Sequence, residues 1–458
     1  MKRSIFFLMS AVLLLPAAAE QPAAAAAEAL SAEVAIGDDT ADDATIREHH
    51  AKLKQAAEQG DAESMFKLGL RLMLINPTAA TEWFAKGADK GHLPCLDYLG
   101  RMFFEGRGVK CSEEKAAHCW QVAAEKGYTP AQMHMYDCYS SGRGVLYSEE
   151  EAAKWLKLAA EGGNSRACHD LAACHAEGML GLEQSYEKAV EWYRKAIEQG
   201  NEVAMYKLGI CYANGQGVTQ DYEQAFKWYC ASAEAGYDRA WYGVGVCYRK
   251  GDGVTADLPK AFEAYKKGAE AGVPIAQRAL AECYLLGIGT EEHVYQGLYW
   301  LTVAAENGDP TARQRINDML SKDIINRAYF MTLRGKIYLT GEHVEQSIPT
   351  AVDSLCKAAE LGDPQAQCYL GHLSLRGEGV PESPEEAVRW FRQAAEQQSP
   401  EGLYLLSLCY ANGIGIAQDP AKAAEYLKAA ADLGHPKAQE ELNKQSAQQT
   451  PHPRADGE

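Results

Sequence analysis

Leu208-Gly209-Ile210-Cys211-Tyr212-Ala213-Asn214-Gly215-Gln216-Gly217-Val218 decides how this chain folds. Ala204, Leu208, Cys211 and Tyr212 fall on one face at a period of 3.6, which predicts a helix from Glu202 to Ala213. Gly215 and Gly217 end it and make the turn, because positive φ costs glycine little. A second helix starts at Asp221, carries Phe226, Trp228 and Tyr229, and stops before Gly236. The unit is a helical hairpin, helix A then helix B.

The same string recurs from Leu99, Val244, Leu280, Leu370 and Leu406, with a weaker copy from Cys138. The residue before its aromatic position falls at 102, 138, 174, 211, 247, 283, 337, 373 and 409. The step is 36, with two exceptions. A step of 37 follows from Gly178-Met179-Leu180-Gly181, one residue longer than the usual Gly-x-Gly. A step of 54 spans 308–327, where an extra helix or distorted repeat, and a bend, are expected. Ser112, Ser148, Ser185, Asp221, Asp257, Ser383 and Asp419 stand at one repeat position as N-caps of helix B. Trp155, Trp192, Trp228, Trp300 and Trp390 supply bulk at one helix B position. A lone hairpin of 36 residues cannot bury both of its faces, whereas a stack of them can.

These residues resemble the Sel1-like repeat family, a relative of the tetratricopeptide repeat. The match runs from about Ala62 to Gly434: Ala204 to Val218 for helix A and its turn, and Lys188-Ala189-Val190-Glu191-Trp192-Tyr193 for helix B. The resemblance implies an all-α, α/α superhelical solenoid of helix-turn-helix repeats, with helix A lining the concave side. It also implies an adaptor or scaffold, and in exported bacterial members a role in host interaction or envelope processes. The first repeat departs from the pattern, because Ile75-Asn76-Pro77 replaces the glycine turn, and reads as an end cap.

The 458 residues are 47% hydrophobic and 24% charged, with a net charge of -18. That acidity argues against nucleic acid and anionic lipid as partners. Lys2 and Arg3, the apolar run Ser4–Leu15 and Pro16-Ala17-Ala18-Ala19 read as a signal peptide cut near Ala19. A periplasmic or secreted protein is therefore expected, with no integral membrane segment after cleavage. The organisation expected is signal peptide 1–19, Ala-rich acidic linker 20–43, a first repeat block with its cap at 44–307, the irregular stretch 308–327, a second block with its cap at 328–445, and a flexible tail 446–458.

Thirteen cysteines in an exported chain raise the question of disulfides. Cys138, Cys174, Cys211, Cys247, Cys283 and Cys409 share one helix A position, which Met102, Ile337 and Leu373 fill elsewhere. Equivalent helices of neighbouring repeats should sit about 8–10 Å apart, whereas a disulfide needs Cα atoms within about 7 Å. The ladder therefore reads as buried thiols. Cys356 and Cys368 flank the Gly362-Asp363 turn and are a pair that chain geometry leaves free either to bond or to stay reduced, and Cys230 could meet Cys211 or Cys247 by the same logic. Exported cysteine-rich members of the family staple consecutive helices, but this chain lacks a regular pair in each repeat.

No catalytic residue, metal ligand set or cofactor motif is nominated. Cys168-His169 and Cys174-His175 have neither haem nor zinc spacing, and Gly-x-Gly-Val recurs as a turn with no strand before it. Register places Arg166, His169, Tyr206, Arg239, Tyr242, Arg249, Lys250 and Arg278 on the helix A surface, continued by Lys336, His372, Arg376 and Tyr404. Asp97, Asp137, Glu177 and Glu282 share that register. The expectation is a scaffold or adaptor binding a protein or peptide on this basic and aromatic stripe, which would suit an acidic surface. The alternatives are an exported hydrolase acting on wall material or antibiotics, and a carbohydrate or cell-wall binder.

Overall fold

The computed structural model describes residues 43–323 and 325–449. The expected signal peptide, most of the 20–43 stretch and residues 450–458 lie outside them. Among the described residues every regular element is a helix, and two compact units divide at Asn201/Glu202.

The first unit holds α1 (Asp43–Glu58) and four hairpins. These are α2 (Ala62–Leu72) with α3 (Pro77–Asp89), α4 (Leu93–Glu105) with α5 (Glu113–Glu125), α6 (Thr129–Ser141) with α7 (Glu149–Glu161), and α8 (Ser165–Glu177) with α9 (Tyr186–Glu198). The second unit opens with α10 (Glu202–Asn214) and α11 (Tyr222–Glu234), α12 (Ala240–Lys250) and α13 (Leu258–Glu270), and α14 (Pro274–Leu286) and α15 (Val294–Glu306). A single helix, α16 (Pro310–Ser321), follows within the stretch expected to be irregular. Then come α17 (Arg327–Thr340) with α18 (Ile348–Glu360), α19 (Pro364–Arg376) with α20 (Pro384–Glu396), α21 (Pro400–Asn412) with α22 (Pro420–Asp432), and α23 (Pro436–Gln449).

Every helix B is capped. Ser112, Ser148, Ser185, Asp221, Asp257, Ser383 and Asp419 each accept a hydrogen bond from the backbone N–H three residues on. Asn76, His293 and Ser347 do the same in the remaining copies. A cap of this kind contributes about 1 kcal/mol to its helix. The second glycine of Gly-x-Gly has a different task, close approach between repeats. A Cβ on Gly108 would strike the Pro77 carbonyl, and one on Gly144 the Glu113 carbonyl. Gly253 on Tyr222, Gly289 on Leu258 and Gly415 on Pro384 repeat the contact in the second unit. At these five places the turn rests on the first turn of the preceding helix B, whereas a Cβ on Gly181 would meet nothing within 4 Å.

The core position of helix B is the residue after the tryptophan position. Phe84, Trp120, Leu156, Tyr193, Tyr229, Tyr265, Leu301, Leu355, Phe391 and Leu427 occupy it, and all are buried. Trp155 and Trp300 at the preceding position are buried, but Trp192, Trp228 and Trp390 are half-exposed. The ring at the core position needs a flat surface opposite. A Cβ added to Gly69, Gly100, Gly209, Gly245 or Gly371 would land on Phe84, Trp120, Tyr229, Tyr265 or Phe391. Overpacking of that kind costs about 1–3 kcal/mol. Where helix A carries Tyr136 instead, helix B carries the smaller Leu156.

The cysteine ladder is core. Cys138, Cys174, Cys211, Cys247, Cys283 and Cys409 are buried, as are Met102, Ile337 and Leu373 at the equivalent position. All thirteen cysteines are free thiols, including half-buried Cys356 and buried Cys368. Burial pushes Cys138 and Cys174 up to about 12 and Cys211 up to about 11, so these thiols stay protonated.

Candidate partner-binding surface

In the second unit, A helices of alternate position touch directly, α12 with α14 and α19 with α21. These A helices thus lie on the tight side of their stack, and the outward residues of the A helices in each unit form a row.

In the first unit that row is closed by its own charges. The Asp97 side chain is 1% exposed, with Arg101 Nε 3.2 Å from Oδ2 and His134 Nε2 3.4 Å from Oδ1. Among the described residues Oδ1 accepts no hydrogen bond. Burial outweighs the Arg101 charge and raises Asp97 to about 6. His134 stacks on Trp120 at 4.4 Å, and burial together with Arg101 and Arg166 lowers it to about 3. Arg166 lies 3.2 Å from Asp137 and 3.4 Å from Asp170, and His169 Nδ1 lies 2.9 Å from the other Asp170 oxygen. Burial disfavours the Arg166 charge, yet the two aspartates hold its pKa above the ordinary value.

The second unit repeats this logic around Glu282. Arg249 lies 3.8 Å, Arg278 3.3 Å and Arg315 3.2 Å from its carboxylate, and Arg278 also reaches Asp309 at 3.2 Å. Tyr206 packs on Tyr229 and Tyr237, and Tyr242 on Tyr265. Arg239 stands at the entry of α12 beside Tyr206, and Lys250 is exposed in the last turn of α12.

The structure therefore brings Arg249 and Arg278 together on one carboxylate, while Arg166 is paired apart from them. The expected basic stripe is not a row of free cations. The acids that sequence register had placed among them, Asp97, Asp137 and Glu282, neutralise cations of the row. Further along, Lys336 donates to the Tyr295 hydroxyl at 3.2 Å. Tyr295 is a residue that sequence reasoning missed, because it begins a helix B and reaches the row only through α17. Tyr404 is buried, stacked on His435 at 4.3 Å and bonded to Glu441 at 2.9 Å.

One constellation has the outline of a nucleophile. His92 Nδ1 lies 3.2 Å from Cys95 Sγ, and His92 Nε2 3.2 Å from Glu63. Cys95 is 0% exposed and burial pushes its thiol up to about 12, opposite to the depression an attacking thiolate needs. His92 stands at the N-cap position of α4, but its side chain makes no capping hydrogen bond. Among the described residues, no group of three or more His, Cys, Asp or Glu side chains is placed to hold a metal. No described helix is long and apolar enough to cross a membrane.

The Sel1 repeat family model matches the chain ten times, at residues 62–92, 94–128, 131–164, 165–201, 203–237, 239–273, 274–309, 328–363, 364–399 and 400–435. The only helix wholly outside these matches between the first and last is α16. Among solved structures, a protective antigen present in uropathogenic Escherichia coli strains and displaying an SLR fold is 30% identical. That match covers 88% of this chain and 91% of the antigen, with a TM-score of 0.46. A Sel1 repeat protein from Oxalobacter formigenes is 29% identical over 58% of this chain and 99% of its own, with a TM-score of 0.43. A search of curated proteins found no match.

Proposed function

The chain belongs to the Sel1 repeat family, and from that premise we propose that it is an exported scaffold that holds a protein or peptide partner on its helix A surface. The observation that carries the reading is the use of the repeat positions. Caps, turn glycines and the residue after the tryptophan position are consumed in stacking. In each unit the helix A row is left as a polar and aromatic surface, the arrangement repeat proteins use for extended binding. Sel1 repeats serve generally as protein-interaction scaffolds and their fold is typically non-catalytic. The buried, protonated Cys95 thiol supports the same view. Lys2, Arg3 and the apolar run to Leu15 support export to the periplasm or beyond.

The test uses the chain from Glu20 onward, immobilised and cross-linked to its native extract, beside a panel of wall-material and antibiotic hydrolysis assays. The reading expects a stoichiometric partner cross-linked to α4, α6, α8 or later A helices. Turnover of any panel substrate, or cross-links confined to helix B, would refute it. N-terminal sequencing of the cell-derived protein should start near Glu20, and an intact Met1 in the cytosol would remove the export claim.

A further inference from the structure

The second unit contains a recess of about 250 Å³, lined by Tyr295, Tyr329, Thr332, Leu333, Lys336 and Gln365. It lies where α17 meets the start of α15 and the first turn of α19, after α16 has interrupted the regular alternation of hairpins. It shares Gln365 with a cleft of about 550 Å³ that runs over Tyr369, His372, Ser399 and Glu401. The two together form a track along α17, α19 and α21.

Lys336 differs from the arginines of the row. Arg166, Arg249, Arg278 and Arg334 each have a carboxylate within ion-pair distance. Among the described residues Lys336 has none. Its ammonium donates to a neutral phenol, Tyr295 Oη at 3.2 Å, and sits 5.7 Å from the same ring. An ammonium has three donors, so two remain after that bond. Around it the recess offers the edges of Tyr295 and Tyr329, the Gln365 amide and the apolar Leu333 floor. The whole chain carries a net charge of -18 and repels anions in general. An anionic group is attracted to this chain only where a cation is left unneutralised.

We propose that the recess takes a carboxylate of an extended acidic peptide, anchored on the Lys336 ammonium, with the adjoining residues lying across the cleft over Tyr369 and His372. One ammonium flanked by neutral phenols suits a single negative charge, whereas a phosphate dianion is bound by clustered arginines. The aromatic lining receives the chain beside the carboxylate, since tyrosine supplies contact area at low entropic cost. The carboxylate comes either from an Asp or Glu side chain or from the peptide's own C-terminus. The inference rests on the scaffold reading and adds its partner chemistry.

The test is selection of random displayed peptides, in internal and free-C-terminal formats, on the wild-type chain and on Lys336→Met. Wild type should enrich acidic peptides or one C-terminal residue class, and synthetic copies should bind Lys336→Met roughly tenfold or more weakly, the range for a lost charge-assisted hydrogen bond. Lys336→Arg should retain most of the affinity, and Lys357→Gln, on helix B, all of it. Replacing Glu by Gln, or amidating the C-terminus, identifies which carboxylate is held. Equal binding to Lys336→Met, or enrichment of neutral peptides, overturns the proposal but leaves the scaffold reading standing. No enrichment by wild type overturns both. Unchanged melting temperatures among the variants show that the comparison concerns binding and not folding.

Discussion

The helix A row of the first unit and that of the second unit beyond α16 are built from the same repeat but end in different electrostatic states. Around Asp97 a carboxylate is fully buried, raised to about 6 and hemmed by Arg101 and His134. Around Lys336 a cation is exposed, donates to a phenol and, among the described residues, has no carboxylate within ion-pair distance, Glu342 acting on it only from further off. The first arrangement fastens neighbouring A helices to one another, because Asp97 of α4 faces His134 of α6 and Arg166 of α8 faces Asp137 of α6. The second leaves its charge unmatched. Like-placed ionisable residues therefore fasten repeats together where the next repeat supplies the counter-charge, and leave a charge open where it does not.

Removal of Arg101 should break the first arrangement hardest. Arg101→Met leaves Asp97 as an uncompensated buried charge, which should cost about 3–5 kcal/mol at pH 7.5. Denaturant melts would read this, and an effect below about 1 kcal/mol would mean that Asp97 is not held by Arg101. The loss should shrink at pH 5, where Asp97 takes up a proton.

The pH dependence separates the two members of the pair. Asp97 is raised from 3.8 to about 6, so the folded chain binds its proton more tightly than the unfolded one. The stability this contributes, about 3 kcal/mol at 1.36 kcal/mol per unit, is complete below 3.8 and is lost as pH rises through 6. His134 acts oppositely. Lowered from 6.5 to about 3, it contributes stability that is present above 6.5 and lost as pH falls towards 3. Asp97→Asn should therefore gain relative to wild type as pH rises from 4 to 7, and His134→Gln should expose the fall that the His134 contribution offsets in the wild type over the same range. Melts across that range check both signs, and parallel curves would show that neither group titrates as its burial implies.

Smaller effects lie at the edge of the comparison. The Arg166 pair is 44% exposed on both sides, so Arg166→Gln should cost under about 1 kcal/mol and respond to salt. Lys336→Met should leave stability within about 0.5 kcal/mol of wild type, since a surface substitution without a charged partner removes little. A large loss there would show that Lys336 is structural and would equate the two regions. Native thiol titration should find Cys111 reacting first, because it is the exposed cysteine.

The hairpins, their caps and their turns were readable because each depends on residues within one repeat. Ser185 caps α9 through Lys188, and Gly215 turns the chain after Asn214, with nothing distant consulted. The tryptophan position was a near miss of one residue. Bulk alone suggested Trp192, but Tyr193 is the side chain that meets the core. The periodicity of 3.6 leaves two adjacent residues on a broad apolar stripe, and only the glycines opposite, such as Gly209 and Gly371, show which one packs.

The candidate surface was legible as a set of positions but not as a charge pattern. Arg166, Arg249 and Arg278 were found by register, and so were Asp97, Asp137 and Glu282. Which acid neutralises which base is decided across 29 residues for Asp137–Arg166, 33 for Glu282–Arg249 and 31 for Arg278–Asp309. Such distances depend on how one hairpin is rotated against the next. A stack of capped, glycine-turned helical hairpins is legible in the chain alone, because those signals are local and repeated. That Arg166, Arg249 and Arg278 are paired with carboxylates while Lys336 meets a phenol follows from the packing alone, because an ion pair requires two side chains from different repeats to arrive within about 4 Å of each other.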